Sequence, residues 1–169
     1  MRGRPGRQRR NPRRDGSGGR LGRLLHIDSL GRNFLDATAL EVRTGHPVRS
    51  EYKKPGKPDV LPLPDAIIVA PASFNTINKW AAGISDTLAL GWITEAIGKG
   101  LPIATIPAVN GAQAKNPAWG RSVETLRAAG VDVLHGEGVY PAHAPGEGAQ
   151  YLHLIPWHLS LTTINARTR

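Results

Sequence analysis

The chain has 169 residues, a formal charge of +9 and no cysteine. Its length suits one domain of ordinary size, and no run approaches the ~20 apolar residues of a membrane span. Disulfides and thiolate metal sites are excluded, and a cysteine-free chain suits a reducing cytoplasm, the compartment expected here.

The charge is concentrated at the N-terminus, where residues 1–23 hold nine arginines against one aspartate. Residues 1–23 have almost no apolar side chains for a core, and residues 1–28 are expected to form a disordered Arg/Gly-rich tail. Arginine clusters bind nucleic-acid phosphates, so a nucleic-acid-associated protein is one reading of the tail. No aromatic residues are interleaved with the arginines, which argues against that reading. No apolar stretch long enough for a signal peptide follows the charges.

Residues 29–169 are expected to form one α/β domain. Phe34, Ala37, Leu40 and Glu41 have helical spacing over Phe34 to Arg43, and Gly45 stops that helix. Pro47 to Tyr52 reads as a short strand, and Lys53 to Pro64 as a Pro/Lys loop. The apolar run Ala66 to Ala70 reads as a buried strand ending at Pro71. A helix from Asn75 follows, with Ile77, Trp80, Ala81 and Ile84 on one side. Thr87 to Lys99 is a further helix, and Pro102 to Pro107 a second buried strand. The helix from Pro117 presents Val123, Leu126 and Ala129, with Gly130 at its C-terminal cap. Val131 to Leu134 is a last short strand. Gly136 to Gly148 is a Gly/Pro loop, read either as a surface loop or as a lid. Pro156 opens a C-terminal helix whose Trp157 and Leu161 are expected to pack on the sheet or on a neighbouring molecule. Repeated βα units imply a parallel sheet. The six histidines (His26, His46, His135, His143, His153, His158) have no metal-ligand spacing and read as loop or packing residues; no metal is expected.

Two turns carry the functional reading. In open α/β sheets ligands bind at the carboxyl ends of strands, where helix N-termini and free N–H groups converge. The first strand ends in Ala72-Ser73-Phe74-Asn75-Thr76, the second in Ala108-Val109-Asn110-Gly111. Ser73, Asn75 and Thr76 offer hydroxyls and an amide to a phosphate, a ribityl chain or a flavin edge. The competing reading is that Ser73 or Asn75 caps the helix, and that Asn110 tolerates an unusual backbone angle.

Together the turns resemble the homo-oligomeric flavin-containing cysteine decarboxylases, including the phosphopantothenoylcysteine decarboxylases. The family's Pro-Ala-Ser-Ala-Asn-Thr turn is matched by Pro71-Ala72-Ser73-Phe74-Asn75-Thr76. Its Pro-Ala-Met-Asn turn is matched by Pro107-Ala108-Val109-Asn110, with valine for methionine. Lys79, Ala81, Gly83, Ile84 and Asp86 match its continuation, and Asn116, Pro117, Ala118 and Val123 its next helix start. The resemblance runs from about Phe34 to Leu134. It implies a flavodoxin-like, Rossmann-type three-layer fold with FMN as cofactor, held by Ser73, Phe74, Asn75, Thr76 and Ala108. Asn110 is then the catalytic residue, touching a small substrate carboxylate or the flavin face. Trimer-based homo-oligomers are implied too, with Trp80 and Trp92 as interface candidates.

The chain also departs from the family. The decarboxylases place a catalytic histidine shortly before the first of these strands, and Lys57 to Pro64 has none. Asp59 could serve as a base there only if burial raised its pKa. The phosphopantothenoylcysteine branch uses a cysteine as proton donor, and this chain has none. The Arg-rich tail stands where family members carry a first strand and a Gly-rich phosphate loop, so the first βα unit is expected to be missing. Arg/Gly/Pro-rich text is also what GC-rich codons give when read from a wrong start. The reading is therefore a flavin-dependent decarboxylase or lyase, with a non-catalytic flavoprotein remnant as its alternative.

Overall fold

A computed structural model describes residues 36–52, 56, 64–136, 138–140 and 143–168. The Arg-rich tail, where the first βα unit is expected to be missing, lies outside the described residues, as do Phe34 and Asp59 with most of its loop.

Helix α1 (Ala37–Thr44) is capped by Asp36, whose side chain accepts from the Ala39 N–H at 3.0 Å, and Gly45 ends it at φ 70°. No residue of α1 is buried. The expected strand at Pro47 to Tyr52 does not form, although Arg49 sits in a single bridge. Glu41 Oε1 instead accepts from the Val48 N–H at 2.7 Å and folds this segment back on the helix.

Three strands make one parallel sheet in the order β1 (Ile67–Ala72), β2 (Ile103–Pro107), β3 (Val131–Val133). Every residue of β2 is buried, as expected of a central parallel strand. Ile103 pairs with Ile67 on one side and Val131 on the other. Strand β1 runs past the expected stop at Pro71. The register shifts between Val69 and Ala72, and β1 is an edge strand among the described residues, where a proline with no N–H to donate is tolerated.

Helices α2 (Phe74–Ala81), α3 (Leu88–Gly98) and α5 (Pro117–Ala128) share one core with the sheet. Ile77, Ile103 and Leu126 are at most 1% exposed, and burying side chains of this size stabilises by about 1.5–3 kcal/mol each. Helix α7 (Trp157–Arg167) packs against β1 and β2, buries Ser160 and Ile164, and completes the α/β architecture.

Several expected contacts differ. Trp80 is 3% exposed and belongs to the core, so within this chain it presents no interface; Trp92 is half-buried. Ile84 lies beyond the end of α2 and is exposed, and so is Ala129 beyond the end of α5. Trp157 and Leu161 do not take the sheet-packing alternative: they point outward, because Ser160 and Ile164 take the sheet-facing stripe of α7. Lys79 and Asp86 form a surface ion pair with each other, a contact worth at most about 1 kcal/mol.

Candidate functional site

At the end of β1, Ser73 is the N-cap of α2. Its Oγ accepts from the Thr76 N–H at 3.1 Å and lies 2.9 Å from Thr76 Oγ1. The two hydroxyls that sequence reasoning put against a ligand are thus first engaged with each other. Phe74 turns into the protein, packs on the core, and stacks on Trp119 with centroids 6.0 Å apart. Asn75 is exposed, and its amide has no hydrogen-bond partner among the described residues.

The second turn lies beside the first. Ala72 pairs with Pro107, and the Ala108 N–H donates to the Ala72 carbonyl at 2.9 Å. Both turns therefore leave the same edge of the sheet together. Asn110 has ordinary extended backbone (φ −82°, ψ 164°), so an unusual turn angle is not its role. It caps a four-residue helix, α4 (Gly111–Ala114), that the sequence pattern did not reveal. Its Oδ1 accepts from the Gln113 N–H at 2.8 Å, and Gln113 Oε1 accepts from the Asn110 N–H at 3.1 Å. That capping box uses the amide oxygen of Asn110 and leaves its NH2 group without a partner among the described residues.

The loop read from Gly136 to Gly148 joins these turns. Asn110 and His143 form a parallel bridge, and the Gly111 N–H donates to the His143 carbonyl at 2.9 Å. The His143 ring stacks on Tyr151 of α6 (Gly148–Tyr151) at 5.3 Å and meets Tyr140 edge-on at 6.4 Å. Tyr140 is buried with Ile106 and Ile155 in a second cluster that also contains Ala70 and Ala108. Its hydroxyl is buried without a partner among the described residues. Burial, with Tyr151 adding to it, holds the phenol above its ordinary pKa of 10.0. Leaving a buried hydroxyl unpaired costs about 1–3 kcal/mol.

His135 follows β3, at the same carboxyl edge. Burial and then the nearby Arg127 guanidinium lower its pKa from 6.5. Arg127 donates to the carbonyls of Val133 and His135 at 2.9 and 3.3 Å, and the imidazole meets Trp119 edge-on at 5.0 Å. Sequence reasoning treated both histidines as packing residues. For His135 a signal was available, since it comes directly after the third strand, where ligand-facing residues sit.

A concavity of about 100 Å³ lies at the other end of the sheet, lined by Pro64, Trp92, Glu95, Ala96, Lys99 and Leu101. These residues precede the strands or flank the end of α3, so the concavity is separate from the turns. No three His, Cys, Asp or Glu side chains among the described residues group to hold a metal ion. The carboxyl edge carries the half-buried Ala108, the Asn75 amide and the Asn110 NH2 group without partners among the described residues, and the buried, unpaired Tyr140 phenol. Flat apolar contact beside a few directed donors suits a flavin ring with its carbonyl and nitrogen acceptors.

The sequence model of the Flavoprotein family matches residues 37–150, more than half of the chain, and the match takes in both turns and the loop. The chain belongs to the Flavoprotein family. This flavoprotein is 33% identical over 85 residues to a cysteine/cysteine sulfinic acid decarboxylase from an unknown prokaryotic organism, a match covering 50% of this chain and 23% of that protein. The chain spans about a quarter of the curated relatives it matches, 23% and 25%. Among solved structures, the epidermin biosynthesis protein EpiD from Staphylococcus aureus is similar with TM-score 0.55 and 26% identity, covering 77% of this chain and 81% of that one. TvaF, an FMN-dependent cysteine decarboxylase from thioviridamide biosynthesis, shares the fold with TM-score 0.58 at 21% identity, covering 84% and 80%. No helix among the described residues is long and apolar enough to cross a membrane.

Proposed function

We propose that this flavoprotein binds FMN at the carboxyl ends of β1 and β2 and acts as a flavin-dependent decarboxylase or related lyase on a small carboxylate. The observation that carries the reading is the Ala108 to Ala72 hydrogen bond, which sets the two motif turns side by side. When bound, FMN supplies an electron acceptor. The Asn110 NH2 group, free of the capping box, donates to a substrate carboxylate. Ser73, Asn75 and Thr76 supply polar contacts to the cofactor, while Ala108 leaves room for its ring and Phe74 backs the turn from the core. The choice of FMN among flavins rests on the resemblance of the two turns, and the lyase chemistry on the decarboxylase relative.

Assembly as a homo-oligomer belongs to the same proposal. It is supported by Trp157, Leu161, Leu152 and Leu154, which are 44–51% exposed on consecutive C-terminal elements. A second reading, FMN binding without catalysis, is favoured by the lack of cysteine and of histidine between Lys57 and Pro64. The purified protein's visible spectrum tests the cofactor. A yellow protein near one flavin per chain is expected, and a colourless one that takes up no added FMN would overturn the reading. Release of CO2 from small thiol carboxylates, assayed on flavin-loaded protein, separates the lyase from the non-catalytic reading.

A further inference from the structure

We infer that the Tyr140 hydroxyl is a hydrogen-bond donor to the bound flavin, closing the site from the loop side; the inference rests on the FMN reading above. Two buried side-chain polar atoms have no partner among the described residues, Trp80 Nε1 and the Tyr140 hydroxyl. They differ in location. Trp80 lies in the main core beneath the helices, whereas Tyr140 packs with Ala70 and Ala108, beside the strand ends from which Ser73 and Asn110 project. Phenylalanine would fill the same apolar space without burying an unpaired hydroxyl. None of its described neighbours bonds it. The His143 imidazole Nδ1 is already 2.9 Å from the Ala144 carbonyl, and its ring meets Tyr140 only edge-on.

The loop carrying Tyr140 is registered to the site by backbone, through the Asn110–His143 bridge and the Gly111 to His143 bond. Any group held by the Asn110 turn therefore lies next to the element that carries the phenol. Val139 and Tyr151, which flank Tyr140 in its cluster, are only partly buried. Moving these two side chains would open a path to the hydroxyl without disturbing Ile106 and Ile155 of the cluster. Flavin carbonyl oxygens and ring nitrogens are acceptors, and the phenol, neutral at physiological pH, is a donor.

The test is an FMN titration of the full chain, read by quenching of flavin fluorescence, for wild type, Tyr140→Phe and Tyr151→Phe. Tyr140→Phe is expected to weaken FMN about tenfold, the loss of one hydrogen bond. Without FMN the same variant should melt no lower than wild type, since it removes an unpaired buried group. Tyr151→Phe removes a neighbouring hydroxyl and should leave the affinity unchanged. Equal affinities for wild type and Tyr140→Phe would overturn the inference while leaving the FMN site standing. Equal losses in both variants would overturn it as a general loop effect. A wild-type chain that takes up no FMN would overturn this inference and the FMN reading together.

Discussion

The Ser122 hydroxyl donates to Asn78 Oδ1 at 2.7 Å, pinning α5 to α2 one turn below the Ser73–Thr76 segment. Asn78 Nδ2 in turn donates to the Phe74 carbonyl at 2.7 Å, so the bond reaches the first turn of α2 directly. Ser122 is 9% exposed and Asn78 half-buried, so the pair is a partly buried polar link between the two helices. Ser122→Ala removes the donor to the half-buried Asn78 amide oxygen and should destabilise by about 0.5–1.5 kcal/mol. Urea unfolding measures this, and an unchanged midpoint would show that the link contributes nothing.

The observed cap and the proposed ligand contact of Asn110 use opposite ends of its amide. The oxygen caps α4 by accepting from the Gln113 N–H, and the NH2 group is free for a ligand. Asn110→Asp keeps the cap acceptor and removes both donors, so stability should stay within about 0.5 kcal/mol. The same change places a negative charge where a carboxylate substrate is proposed to sit, and substrate turnover should be lost. Asn110→Ala should cost about 1 kcal/mol through the lost cap. Retained turnover in Asn110→Asp would show that the amide does not hold the substrate.

Much of this architecture is legible in residue order. The run Pro102 to Pro107 marks a fully buried strand, and Ser73, Thr87 and Asn116 each stand one residue before a helix that they cap. What sequence reasoning missed depends on contacts across the fold. A four-residue helix such as α4 is too short for any periodic signal and exists because Asn110 and Gln113 close on each other. Trp80 and Trp157 look alike as aromatic residues on helix faces, yet one is 3% and the other 48% exposed. Which stripe of α7 meets the sheet is settled by packing, and Ser160 and Ile164 win that place over larger neighbours. The two turns were found because both lie at strand ends. Tyr140 was missed because thirty residues separate it from the asparagine whose turn its loop joins.

His135 should make stability depend on pH. Burial first, and Arg127 second, lower its folded pKa below the ordinary 6.5. The unfolded chain therefore binds the proton more readily than the folded one, and acid favours unfolding. This contribution is fully present above pH 6.5 and is lost as pH falls through the folded pKa. His135→Gln cannot titrate and should show a flatter fall of Tm with acid than wild type. Parallel Tm profiles for the two proteins would remove His135 as the cause. Because the ring is half exposed, the difference should be modest, and high salt should reduce the part due to Arg127.

The outward face of α7 yields a prediction about assembly. Trp157 and Leu161 are one turn apart, 48% and 51% exposed, and follow Leu152 and Leu154 at 50% and 44%. Single exposed apolar residues are ordinary, but four within ten residues of adjoining elements make this stretch the candidate for a covered surface. Trp157→Glu combined with Leu161→Glu removes apolar area from that surface and adds charge to it. Neither side chain supports the sheet, since Ser160 and Ile164 make that contact, so the far-ultraviolet spectrum should be unchanged. If copies of the chain meet through this face, like charges brought together at the contact should cost several kcal/mol and lower the mass in solution. Light scattering on the eluting protein reads that mass directly. An oligomer of undiminished mass in the double variant would place the contact elsewhere, and the edge of β1, where Ile68 is 37% exposed, would be the next surface to alter.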